Sequence, residues 1–64
     1  MNNTFDFEVI DPRGVRLMKH QNVEIDDKSC YFYALRLKQR FGIRPVTVRW
    51  KVKGTQDWIV FDSK

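Results

Sequence analysis

Residues 44–62 read RPVTVRWKVKGTQDWIVFD. Val46, Val48, Trp50 and Val52 alternate with Thr47, Arg49, Lys51 and Lys53. Successive side chains of a strand face opposite ways, so this spacing sorts apolar residues to one side and cations to the other. Gly54-Thr55 supplies the break, and a two-residue loop with glycine first suits a type II′ turn. That loop length predicts a register: Val52 opposite Asp57, Trp50 opposite Ile59, Val48 opposite Phe61. Trp58 and Val60 then stand on the cationic side, between Lys51 and Arg49. A loop one residue longer would reverse this and bury Trp58; the two-residue loop is preferred.

Upstream, Pro45 has no N–H to give to a ladder and marks the start of that strand. Before it, Cys30, Ala34, Leu37 and Phe41 recur at intervals of four, three and four, with Tyr33 on the flank. This is the inner face of an amphipathic helix. Asp26 is the expected N-cap, and Gly42 the expected left-handed stop after about Phe41. Ile43 is expected to fold back on the last turn. Arg36, Lys38 and Arg40 place cations where the helix dipole favours them. Phe32 and Leu35 fall on the opposite side, a candidate contact patch.

At the other end of the chain, Phe5, Phe7 and Val9 alternate with Asp6 and Glu8, a strand with one buried face. Asp11-Pro12-Arg13-Gly14 carries turn residues in turn order. With Gly14 in a left-handed bulge, Asp11 pairs with Val15 and Val9 lies opposite Leu17. Glu8 then faces Met18, and Asp6 faces His20, on the outer side of the hairpin. Residues 21–25 read equally as strand or loop. The order is ββαββ: an α+β fold, one domain over residues 1–64, with a four-stranded antiparallel sheet and one helix packed on one face. Nothing remains in the chain to cover the other face.

Composition narrows the function classes. A chain of 64 residues buries only about 60% of its unfolded surface, so it depends on an efficient core or on a partner. Its single cysteine rules out an internal disulfide, and one histidine with one cysteine rules out a four-ligand Cys/His zinc cage. Five Phe, two Trp and two Tyr argue for a real core. The formal charge of +4 and a pI near 9.6 tilt the chain toward anionic partners. The opening MNNTFDFEVID does not read as a signal peptide, and no apolar run reaches the roughly 20 residues of a membrane span. A lone thiol then fits a reducing cytoplasm.

No catalytic, cofactor or metal residues are assigned. Cys30 lies on the inner helix face and reads as a small core residue rather than a nucleophile. His20 with Asp6 lacks a neighbouring nucleophile and reads as a charge pair. No glycine-rich phosphate loop and no spaced pair of acids is present. Two readings follow. The preferred one is a small non-enzymatic protein-interaction module, regulatory in character. It would use the uncovered sheet face and the helix patch, through Met18, Phe32, Leu35, Trp58 and Val60, and bind another protein or a second copy of itself. The alternative is a nucleic-acid-binding module. Arg44, Arg49, Lys51 and Lys53 would meet phosphates, and Trp58 would stack on a base.

Overall fold

Alternation of Phe5, Phe7 and Val9 with acids produces the strand β1 (Asn3–Ile10), and all three apolar side chains are buried. In the computed structural model, which describes residues 3–61, β1 is followed by β2 (Arg16–Ile25), α1 (Ser29–Gln39), β3 (Thr47–Val52) and β4 (Ile59–Val60). The sheet runs β2-β1-β3-β4 with every neighbouring pair antiparallel. The architecture is the expected ββαββ. Helix α1 packs on β3 and β1. Between them lie Phe5, Phe7 and Val9 from β1, Cys30, Ala34 and Leu37 from α1, and Val46, Val48 and Trp50 along β3, with Phe61 at the far edge. Phe7 is the hub: its ring centroid is 4.4 Å from Tyr33 and 5.7 Å from Trp50. No helix of the described residues is long and apolar enough to cross a membrane.

The first hairpin begins as expected and then departs. Gly14 takes φ +87°, its N–H donates to the Asp11 carbonyl, and Asp11 pairs with Val15 through a 3.0 Å backbone bond. Ile10 lies opposite Arg16, but Val9 lies opposite Met18, not Leu17. Leu17 is the extra residue of a bulge. A one-residue slip turns every following side chain to the other face. Met18 and His20 therefore sit on the helix side, beside Val9 and Phe7, while Lys19 faces outward with Glu8. A second shift between Phe5 and Phe7 centres on Asn22, at φ +59°, whose N–H donates to Asp6 Oδ1 at 3.2 Å. The strand then continues through residues 21–25, with Val23 and Ile25 packed against the core.

The second hairpin keeps its predicted register with a different turn. Trp50 lies opposite Ile59, Arg49 opposite Val60, and the Phe61 N–H donates to the Val48 carbonyl at 2.8 Å. Thr55 N–H donates to the Val52 carbonyl, which places Gly54, φ +88°, third in a four-residue turn rather than first in a two-residue loop. The expected Val52–Asp57 pair is absent from the ladder, which ends at Trp50 and Ile59. Helix α1 starts at Ser29, later than an Asp26 N-cap implies. Asp26 still serves the helix entry, because its Oδ1 accepts the Ser29 N–H at 2.8 Å; the Ser29 hydroxyl first, and then this N–H, hold its carboxyl below the usual range. Regular helix ends at Gln39, and Gly42 takes the left-handed conformation at φ +59°. Ile43 does not fold back; it is fully exposed. Asp62, read as a strand-end residue, lies outside the described residues.

Candidate functional site

On the outer sheet face the side chains of β1 and β3 lie side by side, so β1 acids meet β3 bases. Glu8 pairs with Arg49 across the strands, and Asp6 pairs with Lys51. Arg49 Nε donates to Glu8 Oε1 at 2.5 Å, and Arg16 of β2 donates to the same carboxylate at 3.4 Å. Glu8 is only 6% exposed, a buried carboxylate held between two guanidinium groups. Lys51 Nζ donates to the Thr55 carbonyl at 2.9 Å and lies 3.9 Å from Asp6 Oδ2.

Trp58 does stand among these cations, as the register requires. The Arg49 guanidinium lies 4.3 Å from its ring centroid and the Lys51 ammonium 5.4 Å. These are stacking distances, worth about 0.5–1 kcal/mol at a partly exposed site. The ring and the two cations thus satisfy one another. Of the other cations assigned to this face, Lys53 donates to the Asn22 side chain. Arg44 belongs elsewhere: it follows the helix, and its guanidinium lies 6.0 Å from the Phe41 ring. The expected bare cationic stripe is instead a partly paired layer, in which Glu8 and Asp6 meet Arg16, Arg49 and Lys51 while Lys53 meets the neutral Asn22 side chain.

The apolar candidates also divide. Val60 is exposed beside Arg49, as expected. Met18 is corrected by the Leu17 bulge: it packs against the core on the covered side. Leu35 is corrected too, because it is half-buried against the core rather than turned away. Phe32 is exposed at 67%, and the neighbouring Tyr31 ring meets it edge-on at 5.8 Å. His20 does not pair with Asp6; its Nδ1 shares a 2.6 Å hydrogen bond with the Tyr33 hydroxyl.

That bond bridges β2 and the flank of α1, where two shallow depressions run end to end. One, of about 510 Å³, lies between Ile25, Phe32 and Leu35. The other, of about 340 Å³, lies between His20, Leu37 and Arg40. Both share Tyr33 and Arg36. Burial raises the Tyr33 hydroxyl above its ordinary pKa, and the Arg40 charge pulls the other way. Arg36 and Arg40 are exposed and have no acidic partner among the described residues. The signal for this basic flank was present in the chain: residues 28–56 contain no aspartate or glutamate. Arg49 and Lys51 of β3 find acids on β1, whereas Arg36 and Arg40 find none among the described residues.

Cys30 is buried, and its Sγ–H lies 3.8 Å from the Asp26 carbonyl. Burial first, then the charges of Asp27 and Asp26, push its thiol up to about 11. Thiolate is therefore scarce near neutral pH. Ellman's reagent is expected to leave the native protein unlabelled and to react with one thiol per chain once denaturant is added; fast labelling of the folded protein would contradict this burial. Above the unfolded thiol pKa the unfolded chain ionises first, so this group makes the fold less stable as pH climbs through that range.

Among the described residues, no three His, Cys, Asp or Glu side chains come together as metal ligands. The two sides of the fold therefore differ: an apolar and basic helix flank on one, a partly paired charge layer on the other. No family model matches the chain, and neither does any curated protein or solved structure.

Proposed function

We propose that this chain is a small, non-catalytic protein-interaction module of the cytoplasm that docks a partner protein through the exposed side of α1. One observation carries the reading. Phe32 stands 67% exposed, beside Tyr31, above a core that is already filled from within the chain. A large ring left in water on a domain this small costs free energy unless something covers it. The partner is another protein rather than a second copy. Two such surfaces brought together would set Arg36 and Arg40 against their own counterparts. Trp58 and Val60 contribute little here, because they lie on the opposite side of the sheet from α1. A module without chemistry of its own acts by what it captures, which suits a regulatory role. What weighs against nucleic acid at the sheet face is the pairing of Arg49 with Glu8 and of Lys51 with Asp6.

Photocrosslinking tests this directly. A benzoylphenylalanine placed at position 32 and irradiated in cells is expected to link to a defined protein identified by mass spectrometry. The same probe at exposed Val15, on the far hairpin, is the control. Links from position 32 to nucleic acid alone, or none above the Val15 background, would remove the proposal.

A further inference from the structure

Resting on that reading, we infer that the groove between β2 and α1 takes an acidic peptide segment carrying one large apolar side chain. The apolar residue sits between Ile25, Phe32 and Leu35, and the carboxylates meet Arg36 and Arg40. The two depressions are open and continuous through Tyr33 and Arg36, a shape that admits an extended chain. Their chemistry changes along the groove, from aliphatic and aromatic at one end to guanidinium and imidazole at the other. The His20–Tyr33 bond fixes the wall where the two halves join.

Spacing supports the same occupant. Arg36 and Arg40 are one helical turn apart, a rise of about 6 Å. An extended peptide presents alternate side chains on one face about every 7 Å. Two acids separated by one residue therefore reach both guanidinium groups, each of which favours a carboxylate in a forked contact. Charge complementarity is available because no acid of the described residues occupies either arginine. A nucleic-acid strand could offer phosphates at a similar spacing, but it has no aliphatic side chain to fill the depression beside Ile25 and Leu35.

The test is selection from a library of random 12-residue displayed peptides against the intact protein. Enriched peptides are expected to be acidic, with one Leu, Phe or Trp and an acid-x-acid spacing. A synthetic copy of the leading peptide should bind more weakly as salt rises, and lose at least about tenfold in affinity to the Arg36→Glu/Arg40→Glu variant. Both positions are exposed, so circular dichroism should show the variant folded. Neutral or basic enriched sequences would overturn the inference, as would no enrichment or indifference to the double variant. The position-32 crosslink reads docking independently, so the broader proposal survives or fails on its own. Binding of poly(U) that is abolished by the double variant would also overturn the inference, in favour of a nucleic-acid strand.

Discussion

Phe7→Ala is expected to unfold most of the protein at 25 °C or lower its melting temperature by more than about 15 °C. Phe7 is 0% exposed and is the ring that joins Phe5, Tyr33 and Trp50. Removing a fully buried phenylalanine costs about 3–5 kcal/mol, since the lost burial is compounded by the cavity left behind. At about 0.05–0.15 kcal/mol per residue, a domain of this length holds only about 3–10 kcal/mol in total. No disulfide is available to limit the unfolded chain. Phe32→Ala is the matched comparison: the same chemistry at an exposed site should shift stability by less than about 0.5 kcal/mol. Thermal denaturation followed by circular dichroism measures both. A Phe7→Ala protein that melts within a few degrees of the parent would mean that the core is not centred on this ring.

Glu8→Gln is expected to cost about 2 kcal/mol and to raise the affinity of the sheet face for oligonucleotides. The substitution keeps the shape of a buried side chain and removes the charge held between Arg16 and Arg49. The Arg16 and Arg49 side chains are 52% and 33% exposed, so they can turn to water, which keeps the penalty below that of a sealed ion pair. Released from Glu8, they become available to phosphates next to Trp58. On a single strand each added phosphate contact steepens the log–log salt dependence by about 0.7, so a steepening of about 0.7–1.4 is expected for single-stranded DNA titrated at several salt concentrations. Unchanged affinity in a folded Glu8→Gln protein would show that Glu8 does not limit the binding of polyanions by this face.

Much of the fold was readable locally. The alternation in β1 and β3, the four-three-four spacing in α1, and the left-handed glycines at 14, 42 and 54 each follow from one residue and its near neighbours. Even the Trp50–Ile59 pairing was recovered, because the strand pattern on both sides constrains the register more than the turn does. The candidate site was less legible. Periodicity places Met18 and Leu35 on free surfaces, whereas both pack against the core, and no local pattern brings His20 to Tyr33, Arg36 and Arg40.

What the amino-acid order determined unaided is thus the set of elements, the inner faces of β1 and β3, the Cys30-Ala34-Leu37 stripe of α1 and the absence of acids from residues 28–56. Tertiary structure decided two further things. The bulge at Leu17 turned Met18 and His20 inward, because β2 must match a partner strand whose apolar residues are already committed to the helix. The insertion of β1 between β2 and β3 brought Glu8 to Arg49 across 41 positions of sequence, pairing part of the charge of the sheet face, whereas Arg36 and Arg40 meet no acid among the described residues. Periodicity reports which way a side chain points along its own strand; only the packing of strands against one another settles what stands opposite it.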